Sequence, residues 1–495
     1  MEKTRLKLTL FFLGTLAFFL RLVRVNDSFW LDEAAQALES LRPLKEQLQI
    51  AYDFQPPLYH LLVHFISRFC AEEWWLRLAS VIPGIITVVA VYAISQRLFA
   101  QKKLGLLAPL LLATSSFHIF FSQELRPYAL AAMFGTLSWL FLLKWEESKN
   151  EKNFWTFCFL SILGVYTMYV YLFLSASQLL YLWLFIPKKR KLLLLGVASI
   201  ALLFLPWMPM FLQQMKVGTH LQQQLPGWSS VVSAPQSIVL AHLALRFIGG
   251  VQTFNNMQWE YIYFGAPILL LLILFVHSIK IALGNKKEHL LFRVVFFWFF
   301  LPIFASWLFS FILPVLSPKR ALFSLPGFFI FVTAVTMYLR PKLQYFVAGF
   351  FLMINVIGIL LYWSSPLLQR EGWREALSVL QKSYSAENTV AVFGFYEPFA
   401  PWNYYKDELG IKFSTVAVAA ERAVDPATLD ISMKPTLAYS NVLVFDYLRD
   451  LSDPGKNIER WLDTHGYQEK TPLDTKNIGF IRLFQKEMLY SFSGN

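Results

Sequence analysis

LKLTLFFLGTLAFFLRLVRVNDSFWLDE, residues 6–33, decides the fold. Residues 6–20 carry a single charge, Lys7, and the apolar texture runs on to about residue 25. About 20 such residues cross the hydrocarbon of a bilayer as a helix. No small-residue cleavage site follows, so the segment is expected to be retained as a first span and not cut away as a signal peptide. Just past its end stand two adjacent acids, Asp32 and Glu33. Lysine and arginine at a membrane mouth gain by snorkelling, whereas carboxylates gain little, so an acid pair there points to chemistry more than to anchoring.

The same texture recurs along the chain. Of 495 residues, 56% are hydrophobic and only 15% charged, with a mean hydropathy of +0.47. Soluble domains carry roughly 25% charged residues. Apolar runs near 6–25, 76–97, 104–121, 128–144, 154–170, 171–186, 192–211, 262–281, 291–313, 320–339 and 343–363 predict about eleven spans. The fifth and sixth share one stretch and are expected to meet at Tyr166, Tyr169 and Tyr171. The net charge of +12 comes in short clusters between runs, such as Lys188 to Lys191 and Lys286 with Lys287. That is the positive-inside pattern of a multi-pass protein and not a nucleic-acid surface. It places the amino terminus in the cytoplasm, and an odd span count places the carboxyl terminus outside. Cys70 and Cys158 are expected to be buried thiols, too few for a metal cluster.

Three outer segments are long. In the first, Ser28–Leu41 and Leu58–Phe69 show helical spacing. The second of these puts His60, His64 and Arg68 opposite its apolar positions, as an interfacial helix would. The segment from 213 to 261 is rich in Gln, Pro and Gly and predicts a loop. From residue 369, runs at 389–395, 413–418, 441–447 and 478–484 alternate with helical patterns at 373–384 and 458–466. They predict a small α/β domain of about 125 residues, enough to bury its own core. The expected fold is thus a polytopic α-helical membrane protein, residues 1–368, with interfacial helices in its first outer loop and an extracytoplasmic α/β domain over 369–495.

Charges gather at the outer mouths: Asp32 and Glu33, Glu124 and Arg126, Lys319 and Arg320. A flippase or transporter would carry polar, broken helices at mid-membrane. Attack by a hydroxyl on a sugar carbon bearing phosphate needs a base, which a carboxylate supplies. Phosphate is already a good leaving group and needs fixed positive charge near its oxygens. An acid pair with several cations at one membrane face meets both needs. A lipid-linked-glycan polymerase or ligase shares this topology and relies on outer arginines and a histidine, for which His60 or His64 would serve.

Three motifs in order, Asp27-Ser-Phe-Trp-Leu-Asp-Glu33, Gln55-Pro-Pro-Leu-Tyr59 and Phe121-Ser-Gln-Glu-Leu-Arg-Pro-Tyr128, resemble the protein O-mannosyltransferase-like branch of the GT-C glycosyltransferases. Bacterial aminoarabinose transferases belong to the same superfamily. The resemblance covers about residues 1–370 and is strongest over the first 145. It implies a polyprenyl-phosphate sugar donor, an extracytoplasmic site in the plasma (inner) membrane, and a lipid, glycan or protein acceptor. It further implies Asp32 as base with Glu33 beside it. Gln55, Tyr59, Glu124, Arg126, Tyr128, Lys319 and Arg320 become substrate-binding candidates, Arg126 for the donor phosphate. Neither a cofactor nor a metal is expected. The aminoarabinose transferases place lysine before the Pro-Pro pair, where this chain has Gln55, so lipid A modification is not implied. The carboxyl-terminal domain is expected to tune acceptor choice or stability.

Overall fold

The computed structural model describes residues 2–99, 104–224, 236–254, 256–284, 289–419 and 423–487. They fall into two compact units. The first holds Met1–Val25, Ser40–Gln224 and Ser229–Leu368; the second holds Asn26–Glu39 together with Gln369–Asn495. Residues 26–39 therefore fold with the carboxyl-terminal part, a departure from the simple division at 368/369 that the sequence suggested.

The first unit is helical. Among the described residues, Glu73–Leu98, Tyr128–Ser148, Pro187–His220, Met257–Ile281, Leu290–Phe309 and Pro341–Ser364 are long and apolar enough to cross a membrane. Leu104–Thr114 and Ser116–Ser122, bent by 53°, make a seventh if they count as one span. The other apolar runs are helical too, over Glu2–Leu22, Glu151–Val165, Tyr171–Phe185 and Leu322–Met337. Length and composition thus support six or seven of the eleven expected spans. Glu151–Val165 and Tyr171–Phe185, at 15 residues each, reach about 22 Å against a hydrocarbon core of about 30 Å.

Burial separates inner helices from outer ones. The apolar window of Tyr128–Ser148 is 78% buried, that of Met257–Ile281 only 22%. The second leaves Leu269, Leu272, Ile273 and Val276 on an outward apolar face, as expected toward lipid. The bend at Ser115 has a local cause. Ser115 Oγ accepts from His118 N and caps the second segment, while Asn355 Nδ2 donates to the freed Leu111 carbonyl at 2.9 Å. Arg21 lies buried in the last turn of Glu2–Leu22, donating to the Ala17 carbonyl and meeting His118 Nδ1 at 2.5 Å. Cys70 and Cys158 are free thiols, and only Cys158 is buried.

The segment 213–261 departs from its prediction. Helix continues to Gln224 and resumes over Val239–Gly249 and from Met257. Val239, Leu243 and Phe247 bury one face at helical spacing, a pattern masked by the polar composition around it. Residues 225–235 of that expected loop lie outside the described residues.

In the second unit, β1 (Thr389–Phe393), β2 (Ser414–Ala417), β3 (Asn441–Phe445), β4 (Tyr467–Glu469), β5 (Leu473–Thr475) and β6 (Gly479–Lys486) form one sheet. Its order is β2-β1-β3-β6-β4, with β5 also on β6. β1 runs parallel to β2 and β3, and β6 antiparallel to β3, with Val442 opposite Phe484. Both faces of β1 and β3 are covered, which is why they read as unbroken apolar runs. On one face Val390, Val392, Val442 and Val444 pack with Met433, Ile458 and Leu462. On the other, the Phe393 and Phe445 rings stack at 5.1 Å beneath Trp373 and Trp402.

Candidate active site

The segment Asp53-Phe-Gln-Pro-Pro57 leads directly into the helix Leu58–Ser67. Its first N–H, on Leu58, donates to the Tyr166 carbonyl at 3.0 Å, so the loop is anchored at the break between the two 15-residue helices. Gln214 Nε2 donates to the carbonyls of Ile50 and Gln55 at 2.8 and 3.0 Å. Tyr169 holds Gln214 in turn, donating to its Oε1 at 2.5 Å and accepting from Trp207 Nε1 at 2.7 Å.

This scaffold presents Asp53 as a hub. Its Oδ2 lies 2.6 Å from His60 Nε2, and its Oδ1 lies 3.5 Å from Arg126 and accepts from Gln55 Nε2 at 3.1 Å. Burial alone would raise the Asp53 carboxyl, but the charges and hydrogen bonds of Arg126 and His60 outweigh it and hold Asp53 below the usual carboxylate range. The Arg126 side chain is only 11% exposed. A guanidinium offers five N–H donors in a planar fork that matches two phosphate oxygens. Asp53 and His60 are also a carboxylate–imidazole pair able to share a proton.

The other motif residues surround this hub unequally. Tyr59 is fully buried, its hydroxyl 2.7 Å from Ser80 Oγ, which donates to the Arg126 carbonyl at 3.1 Å. Glu124 is buried, and its carbonyl accepts from Arg126 N at 2.7 Å. Lys319 Nζ stands 5.8 Å over the ring of Tyr128, bringing the late basic residue to the Glu-x-Arg-x-Tyr element. Arg320 bonds within its own loop, to the Val315 carbonyl at 3.2 Å.

Asp32 and Glu33 belong to the second unit, in the first turn of Leu31–Leu41, where helix-dipole charge favours carboxylates. Asp32 is partly exposed and Glu33 buried. The field of Asp32 acts on Glu371, whose carboxyl is pushed up to about 7 by burial first and by Asp32 in addition. Trp373 and Tyr447 hydrogen bonds oppose that rise.

Two residues escaped the motifs. Asp53 stands two places before Gln55, and the available signal was its spacing of seven from His60. Glu371 had no signal beyond lying in the charged stretch after the last apolar run. The histidines also depart from expectation: His60 and His64 are buried, not laid along an interface. Each imidazole has a local partner that makes burial tolerable, Asp53 for His60 and the Ser40 carbonyl at 2.8 Å for His64.

Residues 54–209 match the family described as dolichyl-phosphate-mannose-protein mannosyltransferase, a stretch that includes Gln55, Tyr59 and Arg126. Comparison with curated protein sequences gives no match. Among solved structures the chain is similar to ArnT from Cupriavidus metallidurans in the apo state, with a TM-score of 0.58 and 10% identity over 98% of this chain and 98% of that one. It is similar too to the same protein bound to undecaprenyl phosphate, with a TM-score of 0.57 and 10% identity over 99% of each chain. Identity that low speaks for the fold alone, and the family match covers about a third of the chain. The chain thus has an ArnT-like membrane fold, and residues 54–209 of it match the dolichyl-phosphate-mannose-protein mannosyltransferase family.

Proposed function

We propose that this enzyme moves one sugar from a polyprenyl-phosphate donor to a hydroxyl of a lipid, glycan or protein at the extracytoplasmic face of the inner membrane. The observation that carries it is the Arg126 cluster: a nearly enclosed guanidinium oriented by Asp53, with Lys319 on the neighbouring Tyr128 ring. The undecaprenyl phosphate bound to the structurally similar ArnT supports a polyprenyl-phosphate donor. Arg126, assisted by Lys319, neutralises the departing phosphate, and Asp32 takes the acceptor proton as the new C–O bond forms. Glu33 orients its neighbour. The phosphate departs on its lipid, and no external oxidant or reductant is required.

Arg126→Lys tests the phosphate assignment. The charge is kept but the fork is lost, so kcat/KM for a synthetic polyprenyl-phosphate sugar is expected to fall ~10–100-fold, the equivalent of a charged hydrogen bond. Arg126→Ala should be at least as damaging. Wild-type donor binding and turnover by Arg126→Ala would remove the assignment. Mass spectrometry of envelope glycolipids and glycans, with and without the gene, identifies the sugar and acceptor.

Orientation follows from the basic clusters. A reporter in the Lys188–Lys191 turn is expected on the cytoplasmic side, and one placed after Asn495 outside. A cytoplasmic reporter at residue 495 would put the α/β unit on the wrong side for this reaction.

A further inference from the structure

The acidic turn is held from within its own unit by residues more than 300 positions away in sequence. Leu31 opens the helix Leu31–Leu41, so its N–H is one of the amino-terminal donors that no helix can satisfy internally. The residue before it is Trp30, whose indole cannot accept a hydrogen bond from the backbone, so the ordinary side-chain cap is missing. The Glu371 carboxylate faces the Leu31 N–H instead, which favours its charged form against burial.

Glu371 is itself rigidly placed. It accepts from Trp373 Nε1 at 2.7 Å and from the Tyr447 hydroxyl at 2.9 Å, both on the aromatic face of the sheet. Its backbone carbonyl receives Ser28 Oγ at 2.5 Å. The strand of chain entering the helix is fixed alongside. Phe29 N donates to the Tyr405 hydroxyl at 2.6 Å, the Phe29 ring meets Tyr404 edge-on at 5.2 Å, and Arg374 donates to the Asn26 carbonyl at 3.1 Å. The sheet has its own core on both faces, and these contacts add a second anchorage at residues 26–31.

We propose that Glu371 is a positioning residue for glycosyl transfer: as the remote cap of the helix Leu31–Leu41, it fixes the turn that presents Asp32. The inference rests on the reading of Asp32 as the base. The α/β unit then contributes to the chemical step itself, beyond acceptor choice or stability. The titratable groups around Glu371 are Asp32 and Tyr447; Glu375, one helical turn on, meets Ser28 Oγ at 3.4 Å, and Arg374 points to Asn26 and the Tyr405 ring. Because burial and the Asp32 charge lift the Glu371 carboxyl to about 7, its charge changes near neutrality. Below that pH the capping group is neutral; above it, a second negative charge joins Asp32 and strengthens the cap at the positive end of the helix.

The test uses full-length enzyme in lipid nanodiscs with a synthetic polyprenyl-phosphate sugar, measuring kcat and donor KM between about pH 5 and 9. Glu371→Ala is expected to lower kcat on the order of tenfold through misplacement of the turn, with donor KM within about two-fold of wild type. Glu371→Gln keeps an acceptor oxygen for Leu31 and should recover kcat to within about three-fold. It should also lack the inflection near pH 7 expected of the wild type, since the amide does not ionise. Thermal unfolding of each variant reports folding; if Glu371→Ala is misfolded, the pH profile of Glu371→Gln decides. Wild-type kcat and pH profile in the folded variants, a change confined to donor KM, or a Gln variant no better than Ala would each overturn the proposal. Asp32→Asn is assayed in parallel. Full activity there would overturn the base assignment, whereas an inactive Asp32→Asn beside unaffected Glu371 variants would overturn only the positioning role.

Discussion

Asp32→Asn is expected to lower glycosyl transfer by ~10²–10⁴ with donor affinity almost unchanged, the loss typical of removing a general base. Asparagine preserves the size of the side chain and its value near a helix start, because Asn and Asp cap about equally well. A purely structural Asp32, serving only the first turn of Leu31–Leu41, therefore predicts an active variant. Single-turnover assays with labelled donor separate the outcomes, since binding and chemistry are read independently. Glu33→Gln should be milder: Glu33 is buried, which suits an orienting group better than one meeting an acceptor. Near-normal transfer by Asp32→Asn would move the proton-accepting role to Glu33.

Asp453→Ala is expected to destabilise the second unit by about 3–5 kcal/mol, the range for breaking one partner of a buried ion pair. Asp453 is buried, and each of its oxygens is committed. Oδ2 accepts from Arg449 at 3.0 Å and from Ile458 N at 3.0 Å. Oδ1 accepts from the backbone and side-chain nitrogens of Asn457 at 2.9 and 2.8 Å. The residue just before the helix Asn457–Thr464 is Lys456 in a left-handed conformation, φ 51°, without a capping side chain, so Asp453 does that work from four residues upstream. Removing it strands two helix N–H groups and leaves the buried Arg449 guanidinium with Glu459 as its one carboxylate partner among the described residues. Against a typical domain stability of about 5–15 kcal/mol, this is a large share. Pulse proteolysis of the full-length protein in urea measures it. Asp453→Asn, keeping oxygen for the N–H groups but not charge for Arg449, should lose less. An Ala variant as resistant as wild type would show that Arg449 and Glu459 suffice.

What the sequence made legible follows from how each feature is encoded. Apolar runs are local and obligatory in lipid, so every predicted run falls on helix, and the break at Tyr166 to Val170 separates two helices as its tyrosines suggested. The strands at 389 and 441 were legible because covered strands read as β-branched apolar blocks, and those at 414 and 479, less buried, by shorter apolar runs. Two further helices, Ala400–Glu408 and Pro426–Met433, begin with Pro at the first turn amid polar residues and left no strong period. The site was half legible. Arg126, Tyr128 and Lys319 sit together as the motifs implied, but Asp53 acts through groups distant in sequence, and no pattern within one segment announces it. The same holds for Glu371 and Leu31, whose pairing belongs to tertiary structure alone.

The composition of the second unit has a consequence in time. Residues 26–39 leave the ribosome about 330 residues before residue 369, the start of their partner segment. At translation rates of about 5–20 residues per second, this helix waits on the order of half a minute for the strands that complete its unit. During that wait the intervening apolar helices must be inserted while the acid-bearing segment lacks its eventual mate. Nascent or prematurely terminated chains therefore carry the Asp32 turn without its partner segment. The helix of residues 26–39 thus finds its fold only when synthesis is nearly complete.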